Sequence, residues 1–96
     1  MRLSRNEVQL ITQVIHEKDK NALIYLFGSR TDNKKSGGDI DLIVLSETLG
    51  LEDKLNILGT IKKTIGDQKI DMILTNLEKS KSDPFISFNL KTAQAL

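Results

Sequence analysis

The sequence contains no cysteine and a single histidine among its 96 residues. A chain without cysteine forms no disulfide, no thiolate metal site and no cysteine nucleophile. The one histidine, His16, falls near the end of a predicted helix, which is more typical of an exposed residue than of a catalytic one. These absences exclude the disulfide-framework and thiol-enzyme classes.

The sequence also has no excess of charge of one sign and no long apolar run. Lys plus Arg number 14 and Asp plus Glu number 13, which leaves a net charge of +1. This balance does not favour direct nucleic-acid binding or attachment to a membrane surface. No apolar stretch approaches the ~20 residues of a membrane span, and the N-terminus lacks the apolar core of a signal peptide. We expect one soluble cytoplasmic domain, residues 1–96.

Two short apolar runs flank a polar loop in the first half of the chain. The first run, 23–27, ends at Gly28 and Ser29, and the second begins around the Asp-x-Asp pair of Asp39 and Asp41. A turn of small residues lets backbone N–H groups approach an anion closely. Alternate residues of a strand share a face, so the two acids point the same way with Cα atoms about 6.5 Å apart. An anion cradle beside a carboxylate pair predicts a site for a metal-bound nucleoside triphosphate.

A third acid, Asp71, lies inside an otherwise apolar predicted strand, 69–74. Alternation places it on the face opposite most of the apolar residues of that strand. A buried charge without a partner is costly, so Asp71 needs one. The partner is either a metal shared with Asp39 and Asp41 or the ammonium group of a lysine.

Capping and periodicity predict helices around these strands. Ser4 and Glu7 have capping-box spacing and predict the start of the first helix. Asp83 and Pro84 are typical of an N-cap followed by the first helical residue. The second helix is predicted from an apolar stripe, with Ile57 beside it, made of Leu51, Leu55, Leu58, Ile61 and Ile65. The last helix is predicted to present Ile86, Leu90 and Ala93 on one side.

The predicted order of elements is helix, strand, strand, helix, strand, helix. This order favours an α/β (α+β) fold, with a small mixed sheet and its helices packed on one face. The other face, where the acids project, is expected to stay open for a ligand.

The Gly-Ser turn, the Asp-x-Asp pair and the later acid together resemble the minimal nucleotidyltransferase family of the DNA polymerase beta superfold. That family has Gly-Ser, a short loop, Asp-x-Asp and a third Asp on a later strand. In this sequence nine residues separate Ser29 from Asp39. Family members often continue from Gly-Ser into Arg-x-Arg-Gly, of which only Arg30 is kept here, because Asp32 and Asn33 stand in the other two positions.

The resemblance implies roles for particular residues. Asp39 and Asp41 would hold two Mg²⁺ ions, with Mn²⁺ as a substitute, and ATP would be the substrate. Asp71 would complete the site of the catalytic metal and help to deprotonate an acceptor hydroxyl. The residues implied to bind the nucleotide are Gly28, Ser29 and Arg30.

The resemblance also implies a reaction and a partner. Family members transfer AMP, or another nucleoside monophosphate, to a hydroxyl group. Short prokaryotic members are commonly paired with a HEPN-domain ribonuclease toxin, which they neutralise by transferring AMP to a tyrosine or by masking. We therefore expect a protein adenylyltransferase that acts as a type VII-like antitoxin. A non-catalytic masking antitoxin and transfer to a small-molecule hydroxyl remain alternatives, and the oligomeric state, including a homo-oligomer, stays open.

Overall fold

The computed structural model describes residues 3–28, 39–66 and 68–96 of the chain. The helices and strands in these ranges are α1 (Arg5–Lys18), β1 (Leu23–Phe27), β2 (Ile40–Leu45), α2 (Leu51–Ile65), β3 (Ile70–Thr75), α3 (Leu77–Ser82), α4 (Pro84–Leu90) and β4 (Gln94–Ala95). Each element predicted from the sequence is present, in the predicted order. The short helix α3 and the two-residue strand β4 are additions that the sequence patterns did not predict.

The described strands form one mixed sheet in the order β3-β2-β1-β4. β1 runs antiparallel to β2 and β4, whereas β2 and β3 run parallel. The parallel pair needs a crossover connection, which α2 supplies. The mixed α/β fold class is therefore confirmed, and β2 lies between β1 and β3.

The sheet face beneath α1 and α2 carries the main core. Ile40, Leu42 and Val44 of β2 are completely buried there. The predicted capping box at the start of α1 is present: the amide of Ser4 donates to Oε1 of Glu7 at 2.9 Å, and the amide of Glu7 donates to Oγ of Ser4 at 3.1 Å. None of the described helices is both long enough and apolar enough to cross a membrane.

The apolar stripe predicted for α2 needs a correction. Leu51 and Leu55 are 70% and 60% exposed, whereas Ile57 is fully buried together with Ile61. Helical spacing identifies residues that share a side, but α2 has apolar residues on two overlapping sides. The sheet decides which of them is covered, and here it covers the side of Ile57 and Ile61.

The opposite face of the sheet is only partly open, which corrects the expectation that all helices share one face. Ile86 of α4 is buried there against Ile43 and Leu45 of β2. α4 therefore covers the middle of this face, and it ends at Leu90, before the residue Ala93 that the prediction included. The exposed part of the face is the end where the acids lie.

Candidate active site

Strand pairing brings the three acids of the sequence pattern to one end of the sheet. Asp41 of β2 is paired with Asp71 of β3 on one side and with Phe27, the last residue of β1, on the other. Asp39 lies two residues before Asp41, so its side chain points to the same face. The amino ends of β2 and β3 thus carry three carboxylates on one surface.

Gly28 ends β1 directly beside Asp41. Its φ is +80°, and a Cβ built on it would lie 2.7 Å from Oδ2 of Asp41. Any other residue would be strained at this φ and would push against the carboxylate. Glycine therefore allows the end of β1 to approach the acid. The other two residues assigned to the nucleotide, Ser29 and Arg30, lie outside the described residues.

The acids differ in their exposure to water. The side chains of Asp39 and Asp71 are 47% and 58% exposed, whereas Asp41 is half-buried. The expectation that Asp71 is a buried charge is therefore wrong. β3 is an edge strand of the described sheet, and the carboxylate of Asp71 reaches solvent there.

Lys69, to which the sequence patterns gave no role, joins the three acids. Its Nζ lies 3.7 Å from Oδ2 of Asp39 and 4.0 Å from Oδ2 of Asp71. The amide of Ile40 donates to the carbonyl of Lys69 at 3.0 Å, which holds the lysine backbone beside β2. Lys69 and Asp71 lie two residues apart where β3 begins, and alternate residues of a strand share a face. The Lys-x-Asp spacing therefore indicates that the side chain of Lys69 lies on the same face as that of Asp71. Pairing of Asp71 with a lysine, left open by the sequence, is thus present.

Among the described residues, the charges at this end of the sheet do not balance. Burial raises the pKa of the Asp41 carboxyl above its ordinary value, and the nearby carboxylates of Asp71 and Asp39 raise it further. Lys69 acts in the opposite direction but does not cancel these effects. A divalent cation at this surface would relieve the excess of negative charge.

The chemistry of the three acids fits a divalent cation, although they are not drawn together around one. Within residues 3–28, 39–66 and 68–96, no three acidic or histidine side chains are grouped closely enough to hold a metal. Like charges repel when no cation lies between them, and Lys69 attracts Asp39 and Asp71 to itself. Carboxylate oxygens are nevertheless the ligands that Mg²⁺ prefers.

An apolar surface borders the acids. Phe27, the strand partner of Asp41, contacts Phe85 of α4 edge to face, with ring centroids 6.2 Å apart. Phe85 and Phe88 are 57% and 63% exposed, and residues three apart on a helix are neighbours. We call Phe27, Phe85 and Phe88 the aromatic border of the site.

A polar cleft lies at the other end of the same strands. Its volume is about 350 Å³, and Ser46, Thr75 and Lys79 are among the residues that line it. Six residues of strand span about 20 Å, so this cleft is remote from the three acids. The side chains of Asp39 and Asp71 are largely exposed to solvent.

Comparison with known proteins agrees with this geometry. No curated protein matches the chain at a significant level. The family model described as polymerase beta, nucleotidyltransferase, matches residues 9–95. The match spans nearly the whole chain, including the Gly28 turn and all three acids. The chain therefore belongs to the DNA polymerase beta-type nucleotidyltransferases, and it is a transferase domain.

Proposed function

We propose that this protein transfers AMP from metal-bound ATP to a hydroxyl group on a partner protein. The observation that carries the proposal is the surface formed by Asp39, Asp41 and Asp71 beside the Gly28 turn. Family membership supports nucleotidyl transfer in general. The choice of ATP and of a protein acceptor is our proposal, as is membership in the minimal nucleotidyltransferase subfamily.

The reaction forms a bond between the acceptor oxygen and the α-phosphorus, and it breaks the bond from that phosphorus to the bridging oxygen, so pyrophosphate leaves. Divalent cations held by these acids would offset the negative charge that develops on the attacking and leaving oxygens. We assign Asp39 and Asp41 to hold the cations, and Asp71 to complete the site and take the proton of the acceptor hydroxyl.

The triphosphate is assigned to the turn that follows β1. Gly28 has no side chain to obstruct a phosphate group, and backbone amides of such turns bind anions. We propose that Ser29 and Arg30 extend this contact with a hydroxyl and a guanidinium group, which binds phosphate through charge-assisted hydrogen bonds.

The aromatic border supports a protein as the acceptor. Exposed apolar surface beside a polar site is typical of protein interaction surfaces. Because Phe85 contacts Phe27, the strand partner of Asp41, a protein bound at the border would bring its own hydroxyl close to the acids. We propose a HEPN ribonuclease toxin as this partner and a type VII-like antitoxin role for the chain. We expect this in the cytoplasm, where ATP and Mg²⁺ are abundant.

The test is to purify the protein with its native partner and to measure intact masses after adding Mg²⁺ and ATP. We expect the partner to gain the mass of AMP. Asp71→Asn should abolish this gain and leave partner binding intact, because it removes one charge with little change in shape. Glu78→Gln, which removes an exposed charge from α3, is the matched control and should behave like the parent chain.

The outcomes separate catalysis from masking. If Asp71→Asn abolishes AMP transfer but still protects cells from the toxin as well as the parent does, neutralisation occurs by masking. If AMP appears on a small molecule instead of the partner, the protein acceptor is wrong. Phe85→Ser is the converse variant: it should lose the partner and keep metal-dependent ATP binding.

A further inference from the structure

In the part of the chain that the structure describes, four charged side chains share the exposed end of β2 and β3, and Lys69 is the positive one among them. Its ammonium contacts the carboxylates of Asp39 and Asp71 at 3.7 and 4.0 Å. The hydrogen bond from the amide of Ile40 to the carbonyl of Lys69 fixes the lysine backbone in the sheet ladder. The ammonium can therefore leave the carboxylates only by a turn of its side chain.

We infer that Lys69 is a positioning residue. Its ammonium group bridges Asp39 and Asp71 when no cation is bound, and a divalent cation displaces it. This inference rests on the proposed function, which supplies the expectation of a cation. It concerns the order in which metal and nucleotide bind, and it adds a residue that the sequence pattern of the site does not include.

Displacement of Lys69 couples metal binding to nucleotide binding. A bare divalent cation must break both ion pairs and leave an ammonium group close to two positive charges, which weakens its binding. A metal that arrives with a triphosphate also brings phosphate oxygens, to which the displaced ammonium of Lys69 can donate hydrogen bonds. Free metal should therefore bind weakly, and the triphosphate should strengthen metal binding more than it would in a chain without Lys69.

The exposure of Lys69 sets the size of the effect. Its side chain is 67% exposed, so water and salt screen both ion pairs. We therefore expect changes in metal affinity on the order of tenfold and not a thousandfold.

The experiment measures Mn²⁺ binding to the full chain from the electron paramagnetic resonance signal of free Mn²⁺. Each variant is titrated without nucleotide and again with a non-hydrolysable ATP analogue. Lys69→Met removes the ammonium group and keeps the apolar stem, whereas Lys69→Arg keeps the charge. Lys81→Met is the matched control, because it removes an exposed charge from α3, which follows the opposite end of β3.

Without nucleotide, Lys69→Met should bind Mn²⁺ about tenfold more tightly than the parent chain. The ATP analogue should increase the Mn²⁺ affinity of this variant by a smaller factor than it increases that of the parent. Lys69→Arg and Lys81→Met should resemble the parent. Unchanged or weaker Mn²⁺ binding by Lys69→Met would overturn the inference. Equal tightening by Lys81→Met would also overturn it, since net charge and not position would then explain the effect.

Asp41→Asn separates failure of this inference from failure of the proposed function. If the parent binds Mn²⁺ and Asp41→Asn weakens that binding, but Lys69→Met changes nothing, only the role of Lys69 is wrong. If the parent binds no Mn²⁺ with or without the analogue, both the inference and the proposed metal-dependent transfer are wrong.

Discussion

The two faces of β2 carry opposite chemistry on one short strand. Ile40, Leu42 and Val44 are completely buried beneath α1 and α2. The other face is covered by α4 at Ile43 and becomes accessible at Asp41. Because strand side chains alternate, one face supplies stability and the other supplies charge. A substitution on the buried face should therefore change stability and leave metal binding unaltered, and a substitution of an acid on the other face should change metal binding.

The largest effect is expected on the charged face. Asp41→Asn should lower the rate of nucleotidyl transfer about 10³-fold, because a lost metal ligand removes several kcal/mol of transition-state stabilisation. The measurement is the rate of AMP incorporation at saturating Mg²⁺, with circular dichroism as the check on folding. If a folded variant transferred AMP at the parent rate, Asp41 would not be part of the active site.

The next effect tests the buried face. Leu42→Ala should lower the free energy of unfolding by about 2–5 kcal/mol, because it leaves a cavity beneath α1 and α2. Urea unfolding measures the loss. Under conditions where the variant is folded, its Mn²⁺ affinity should match that of the parent. A matching loss of metal affinity would show that the two faces are not independent.

A smaller effect is expected where β1 meets the charged face. Gly28 and Gly66 have nearly the same φ, +80° and +81°, but only at Gly28 would a Cβ meet Asp41. Alanine at either position should cost about 1–3 kcal/mol of backbone strain, and at Gly28 the clash with Asp41 adds to that cost. Gly28→Ala should in addition weaken Mn²⁺ binding, and Gly66→Ala should not. Equal Mn²⁺ affinities in the two variants would argue against a role of the Gly28 turn in the site.

The smallest effect is a dependence of stability on pH. The pKa of Asp41 is raised by burial and by its neighbouring acids above the ordinary value of 3.8, so the folded chain binds this proton more tightly than the unfolded chain. Its contribution to stability is present below the unfolded pKa and is lost as pH rises through the folded pKa. Without metal, Asp41→Asn should therefore melt at a higher temperature than the parent at pH 7.

This difference in melting temperature should close as the pH falls to about 3, where the carboxyl of the parent is protonated in both states. Thermal melts of the two chains at both pH values provide the measurement. The same difference at pH 3 and pH 7 would mean that a cause other than titration of Asp41 stabilises the variant.

Local patterns predicted much of the fold and the placement of the acids. The capping box at Ser4 and Glu7 is present as predicted. The Asp-x-Asp spacing predicted a shared face for Asp39 and Asp41, on which the structure places them. These features depend on neighbouring residues along the chain, whose geometry is set by backbone period and hydrogen bonding.

Features that depend on strand order could not be predicted in the same way. Asp71 is exposed because β3 is at the edge of the described sheet, and a sequence pattern does not state which strand lies at the edge. Leu51 and Leu55 of α2 are exposed for a similar reason. Their helical spacing places them on one side of α2, but the sheet covers a different side of the helix.

By itself, the sequence determined α1, α2, α4 and the first three strands, together with the turn at Gly28 and the carboxylates at the strand ends. Short-range sterics and the alternation of side chains produce regular patterns along the chain, from which these features can be predicted. Only the tertiary structure decided that Lys69 lies between Asp39 and Asp71 and that α4 covers part of their face. The contacts of Lys69 with Asp39 and of α4 with β2 join residues that are distant in sequence, and no local pattern along the chain predicts such long-range packing.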